Sequence, residues 1–429
     1  MSISYMLQFL DKQALSLTAI LDLPRDLHLS GGEYSWASGI YYLGYMVAAY
    51  PAAMLMVRWH VGKTIAASIC IWGGILTVTA ACHDAAGLMA VRFLLGAAES
   101  AIAPGLSVSV AMCVAGIIGG LTAYGVGHIQ SIAPWKSVFL FFGSMTVVCS
   151  FCFVFLMPDT PMQAWFLNDE DRAKAVTRVR MNMTGIKSSE FRWSQCIEAL
   201  LDTKTWPFFG QLLYAMPLLV YPKLTNHKFG TIVVKGLGFS TFSSLLVQAA
   251  CYIAQLIAVL ISTGGSSYFT NTRTYWMLWN FALSIIGASL VGELPAHLLW
   301  GRYAGKCLMT AAAANFPLMM SLSSGNVAGF TKKMTVNAVI LISFCVGIIV
   351  GPQLFFEYQA PTYTLGFLDI MICYAVGMIL CGVARLYFVW ENRRRDRVNP
   401  LALGNEEIDG GVAGMLDKTD REIPQFREV

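Results

Sequence analysis

The sequence predicts an all-α polytopic membrane protein, and three observations carry that reading. Of its 429 residues 56% are hydrophobic and only 13% charged, with a mean hydropathy of +0.59, outside the range of water-soluble chains. Apolar runs of about 17–25 residues recur along the whole length, enough for a helix to cross about 30 Å of hydrocarbon. Short polar segments separate them, except near the middle, where one polar segment is long.

Length alone would suggest two or three soluble domains, which this composition excludes. The formal net charge of +4 is small and lies mostly in loops and the tail, so no nucleic-acid partner is expected. The eleven cysteines fall mostly within apolar runs without paired spacing, and no disulfide framework is expected. Cys149 and Cys152 have redox-motif spacing but lie in an apolar helix with no second pair, and read as packing residues. The first residues carry no basic region, and Asp11 and Lys12 interrupt the first apolar run, so no cleavable signal peptide is expected. Walker-type, His-Glu-x-x-His and Gly-x-Ser-x-Gly motifs are missing from the sequence. The expected protein is therefore not an enzyme and carries no cofactor or metal.

Taken in order, the first span is expected from Tyr5 to about Leu21, followed by Ser35 to Val57 and Thr64 to Cys82. Gly87 to about Ile129 is too long for one span and has no charged residue between Glu99 and Lys136. Either two helices meet at a tight turn near Pro104 to Cys113, or a connecting segment is missing. Gly116, Gly119, Gly120, Gly125 and Gly127 read as a close-packing face, and Val138 to Met157 closes the first half. Residues 158–205 form the long polar connector; Asn168-Asp-Glu-Asp followed by Arg172 and Lys174 reads as a capped surface helix. Six further spans are expected at Trp206–Tyr221, Ser240–Ser262, Tyr275–Val291, Tyr303–Ser324, Val336–Phe356 and Tyr363–Trp390. The expected organisation is a transmembrane half over 1–157, a cytoplasmic connecting loop over 158–205, a second half over 206–391 and a cytoplasmic tail over 392–429.

Basic residues set the orientation. Arg58, Lys63, the connector, Arg273, Lys332 with Lys333, and the Arg393–Arg397 cluster fall on one side if the spans alternate, which makes that side cytoplasmic. Asp22, Asp26, Glu33, Asp84, Glu293 and Glu357 fall on the other. Lys223, Lys228 and Lys235 break the pattern.

The chemistry is expected where charge enters the apolar spans. Arg92 and Glu99 are seven residues apart, two helical turns and about 10 Å of axis on one face. Asp11 and Lys12 add a second acid and base, with Gln8 one turn earlier. An ionised group at a bilayer centre costs roughly 2.5–3.5 kcal/mol on insertion scales, so two such pairs in one half suggest a polar pathway. Lys12 and Arg92 are candidates to hold an anion, the arginine by its bidentate fork. Asp11 and Glu99 are candidates to exchange a proton, because burial and a neighbouring cation act on a carboxyl in opposite directions. The competing structural reading is that these pairs only hold helices together. Tyr41, Tyr42, Tyr45, Gln211, Tyr214, Gln248, Gln255, Asn315 and Asn337 are secondary; Tyr45, Gln211 and Asn315 are taken as substrate-facing, although each alone fits a helix contact.

The segments Leu7-Gln-Phe-Leu-Asp11-Lys12, Tyr34-Ser-Trp-Ala-Ser38, Arg92 to Gly105, Phe166 to Arg172, Lys235-Gly-Leu-Gly-Phe-Ser240, Ser324 to Gly329, Thr331-Lys332-Lys333, Gly351-Pro-Gln-Leu-Phe355 and Trp390 to Arg397 resemble the major facilitator superfamily. Within it they are most similar to the anion:cation symporter branch and its fungal allantoate permease group. The resemblance implies the major facilitator fold, two six-helix halves, here with the fourth and fifth helix region shortened. It implies proton coupling by Asp11 and Glu99 and anion binding by Lys12 and Arg92. It also implies secondary active uptake of a carboxylate such as allantoate, ureidosuccinate or nicotinate by a monomer in the plasma membrane, with both termini cytoplasmic and the proton as coupling ion. The chain departs from the group in lacking a hydrophilic N-terminal tail and a Trp- and Arg-containing loop between Met112 and Cys113, and it fits poorly around Pro217 to His227. A non-transporting nutrient receptor and an inactive truncated transporter are the alternatives.

Overall fold

The computed structural model describes residues 2–29, 32–58, 61–100, 108–126, 128–129, 132–156, 168–172, 174, 192–207, 210, 241–269, 271–295, 297–350, 364–398 and 419–422. Among them all regular structure is helical. The helices of the first part are α1 (Ser2–Ile20), the short α2 (Leu23–Asp26), α3 (Glu33–Arg58), α4 (Val61–Thr79), α5 (Ala85–Glu99), α6 (Val108–Val126) and α7 (Pro134–Leu156). After the connector helix α8 (Trp193–Leu201) come α9 (Thr241–Tyr268), α10 (Arg273–Glu293), α11 (Leu299–Met309), α12 (Asn315–Asn326), α13 (Phe330–Val350) and α14 (Thr364–Val398).

Six helices among the described residues are long and apolar enough to cross a membrane by themselves. α5 falls short for a simple reason: its 15 residues make about 22 Å of axis, against about 30 Å of hydrocarbon. Its start is fixed by Asp84, whose side chain accepts a hydrogen bond from the Gly87 amide at 2.9 Å, filling one of the orphan donors of the first turn.

Within the long apolar stretch the structure describes two helices, α5 and α6; residues 101–107 between them lie outside the described residues. α6 runs through Met112 and Cys113 without interruption. It packs along α1 and α9, with Gly119 facing Leu10 and Gly116 facing the Tyr252 ring, so these two line helix contacts, whereas Gly125 has open space around it and Gly127 lies outside the described residues.

Two expectations are corrected. The span over Tyr303–Ser324 is not one helix, because a 3₁₀ segment at Thr310–Ala314 separates α11 from α12. The Ser284 hydroxyl accounts for the backbone there, donating to the Met309 carbonyl at 3.2 Å and accepting from the Ala312 amide at 2.9 Å. α14 itself runs for 35 residues to Val398 and carries the basic cluster Arg393–Arg397 in its last turns. Lys332, read from sequence as a side-setting loop charge, is wholly buried in the first turn of α13, where carboxylates surround it. Most of the expected span over 206–221, including Gln211 and Tyr214, lies outside the described residues, as do Lys223, Lys228 and Lys235.

Close helix approach depends on glycine. A Cβ on Gly44 of α3 would lie 2.1 Å from the Phe93 carbonyl of α5, and one on Gly96 of α5 would lie 1.9 Å from the Tyr41 carbonyl of α3. Gly73 and Gly143 play the same part between α4 and α7, and Gly287 and Gly305 between α10 and α11. Small residues let backbones touch where no hydrophobic force drives helices together in lipid. Backbone lies on both sides of the α3–α5 contact, so a methyl group has nowhere to go. Gly96→Ala is expected to destabilise the fold by about 1–3 kcal/mol or more, measured as a lower melting temperature of the purified protein, whereas Gly74→Ala, with open space around it, is expected to leave it unchanged.

Candidate functional site

Three helices of the first part supply one buried polar cluster. On α1, Tyr5, Gln8 and Lys12 are spaced three and four residues apart and share a face, with Asp11 beside them; Gln8 and Asp11 are fully buried. On α5 the inward face is Leu88, Arg92, Leu95, Gly96 and Glu99. Tyr41 and Tyr45 enter from α3 one turn apart, both buried. The Gly44 and Gly96 contacts bring α3 close enough to α5 for this meeting.

Lys12 does not pair with its neighbour in sequence. Its ammonium lies 3.8 Å from Glu99 Oε2, with the ring centroids of Tyr5, Tyr41 and Tyr45 at 5.8, 5.6 and 5.7 Å. Three aromatic faces around one cation hold it electrostatically without neutralising it. The Tyr41 hydroxyl donates to the same Glu99 oxygen, and Gln8 Nε2 donates to the Glu99 backbone carbonyl at 3.3 Å. The Arg92 guanidinium stacks over Phe139 of α7 at 5.6 Å. Asp11 has Glu99, Trp72, Arg92 and Lys12 as its charged and polar surroundings.

Much hydrogen-bonding capacity stays unused. Among the described residues, both Asp11 carboxylate oxygens, Glu99 Oε1, Gln8 Oε1, and Nε and Nη2 of Arg92 are buried without a hydrogen-bond partner. A buried charged group without partners costs several kcal/mol, and native proteins leave few polar groups in that condition. The cluster therefore has spare cationic donors for an anion and spare carboxylate oxygens for a proton.

The structure thus brings Asp11, Lys12, Arg92, Glu99 and Tyr45 together. Asn315 belongs to another set: it accepts from Asn280 at 2.9 Å and donates to the Met277 carbonyl at 3.3 Å, while Ser262 donates to Asn280 at 2.9 Å. That ladder ties α9, α10 and α12 and engages both ends of the Asn315 amide. Gln211 lies outside the described residues. Sequence reading missed Tyr5, Trp72 and Phe139; Tyr5 alone left a signal, two turns before Lys12 on the same face.

The later helices reach the rim of the cluster. Gln13 of α1 donates to the Tyr252 hydroxyl of α9, Phe9 meets the Tyr252 ring edge-on at 6.0 Å, and Tyr42 of α3 meets Phe344 of α13 at 6.0 Å.

Comparison with known proteins bears on the family and the fold. The model of the Major Facilitator Superfamily matches residues 1–116. The uncharacterized transporter C757.13 of Schizosaccharomyces pombe is 32% identical over 454 residues, covering 100% of this chain and 84% of the relative. The allantoate permease of Saccharomyces cerevisiae is 28% identical over 460 residues, covering 100% of this chain and 83% of the permease. Among solved structures, a bacterial homolog of the human lysosomal transporter Spinster, in an inward-facing and unoccupied conformation, superposes with a TM-score of 0.60 at 12% identity, over 90% of this chain and 94% of that one. An all-helical chain with membrane-length apolar helices, a full-length relative above 30% identity and a shared fold lead to one statement: this chain belongs to the major facilitator superfamily of membrane transporters.

Proposed function

We propose that the protein is a proton-coupled symporter that takes up a small organic carboxylate across the plasma membrane, with both termini cytoplasmic and a monomer as the working unit. One observation carries this reading: the Lys12 ammonium is held against Glu99, while Arg92 and Asp11 stand nearby with unused donors and acceptors. Protonating Glu99 removes the negative partner of Lys12 and leaves that ammonium, still within its three tyrosines, open to another anion. The Arg92 fork adds a second, bidentate anchor.

Charge accounting supports coupling. Asp11, Lys12, Arg92 and Glu99, all ionised, sum to zero. One proton together with one monocarboxylate restores that zero, whereas either alone leaves a net charge in a low-dielectric interior, where a charge is costly. The loaded and empty sites are thus the two states best suited to reorient between the halves over 1–157 and 206–391. The name of the allantoate permease relative, whose allantoate is itself a carboxylate, favours that substrate class.

Three measurements test this. Uptake of labelled allantoate or nicotinate into cells expressing the chain is expected to be saturable and faster with an inward proton gradient; binding without accumulation would instead leave a receptor. Arg92→Ala is expected to raise KM about 10–100-fold, the loss of one charged hydrogen-bonding anchor, and unchanged affinity would remove Arg92 from the site. Glu99→Gln is expected to abolish acceleration by the proton gradient while sparing substrate exchange, and a normal pH response would assign the proton elsewhere.

A further inference from the structure

A second buried ion cluster lies far along the chain from the first and takes no part in the proposed transport chemistry. At its centre is Lys332, fully buried in the first turn of α13. Its ammonium reaches Asp202 at 2.7 Å, Glu198 at 2.8 Å and Asp420 at 2.8 Å. The carboxylate oxygens of Glu198, Asp202 and Asp420 lie within 4.8 Å of one another, and the lysine ammonium occupies the middle of that group. Lys204 reaches the other Asp420 oxygen at 2.5 Å and donates to the Asn326 carbonyl at 2.8 Å. Arg421 approaches Asp202 at 3.6 Å and Glu198 at 3.9 Å.

Four separate parts of the chain meet here: α8 and the turn after it, the α12–α13 junction, the end of α14 and the segment Thr419–Glu422. Backbone contacts make the fit specific. Arg395 donates to the Asp420 carbonyl at 3.0 Å, the Ala328 amide donates to the Asp420 carboxylate at 3.4 Å, and Gln195 accepts from the Thr331 and Lys332 amides. Gly329, at φ 92, leaves room for the Thr419 methyl, which a Cβ there would meet at 3.3 Å. The segment brings a carboxylate to two ammoniums and a guanidinium to two carboxylates. Asp420 and Arg421 together bring no net charge to the pocket, and the third charge of the segment, Glu422, accepts from the segment's own Thr419 amide at 3.0 Å.

We propose that this pocket is a docking site for the chain's own C-terminal segment, and that Thr419–Glu422 is a latch clamping the connector to α13 and α14 and thereby restraining the transport cycle. The restraint follows from the connectivity. The connector links the halves that must move against each other, and α13 meets α3 at the rim of the charged site through Phe344 and Tyr42. Fixing the end of the connector to the first turn of α13 ties both to one body. Burial by itself would raise the Asp420 carboxyl, but Lys204 and Lys332 outweigh it and hold the group below the usual carboxylate range. Its contribution is thus present above the unfolded value and lost only as pH falls through the lowered folded one, so changes near neutrality leave the latch closed.

The effect on rate rests on the transport reading above, but the docking has its own readout. Limited trypsin digestion of the purified full chain is expected to cut the connector about tenfold faster or more in Asp420→Lys than in wild type, the loss of charged hydrogen bonds in a buried setting. Allantoate uptake per molecule at the surface is expected to rise about twofold in the same variant with KM unchanged. Asp420→Asn serves if the reversal does not fold. Unchanged cleavage in Asp420→Lys and Asp420→Asn overturns the docking. Faster cleavage with unchanged or lower uptake overturns the restraint, and a wild-type chain that transports nothing refutes the transport reading while the cleavage result still decides the docking.

Discussion

The organisation of the first part depends on one contact, the Lys12 ammonium against the Glu99 carboxylate inside the apolar spans. Neither charge is tolerable there alone. Each is held by the other and by tyrosines, Lys12 by three ring faces and Glu99 by the Tyr41 hydroxyl. The tyrosines need α3 to lie on α5 with backbones touching, and that in turn needs Gly44 and Gly96. An electrostatic requirement at the centre thus sets a steric one several ångströms away.

The two ion clusters solve the burial problem in opposite ways. Around Lys332 the ion contacts are short, and backbone amides and carbonyls complete the set; such a network rigidifies what it joins. Around Lys12 the ion contact is longer and several charged atoms keep unused capacity. An arrangement left short of partners can exchange them, which suits the proposed substrate site. The saturated cluster suits a fastening.

The later helices show a third use of buried polarity. Ser262, Asn280 and Asn315 satisfy one another in a ladder, and Ser284 supports the backbone where α11 gives way to α12. Irregular backbone at membrane depth is tolerated when neighbouring groups take up its donors and acceptors, and here a serine of the adjacent helix does so.

Sequence alone determined that the chain is all-helical and membrane-threading, where most helices lie, and that Asp11, Lys12, Arg92 and Glu99 are anomalous, because hydropathy and helical spacing are local properties written along the chain. It also marked the apolar stretch after Arg92 as too long for one helix. Only the tertiary structure decided that Lys12 pairs with Glu99 rather than Asp11, that Tyr5, Trp72 and Phe139 join the cluster, and that Asn315 serves a helix ladder. It alone revealed that Lys332 is buried with Asp420, which lies 88 positions further along the sequence. Those outcomes follow from which helix faces meet and how closely, and that is set by glycine contacts and charge pairing between distant segments, for which no periodicity within one segment carries a signal.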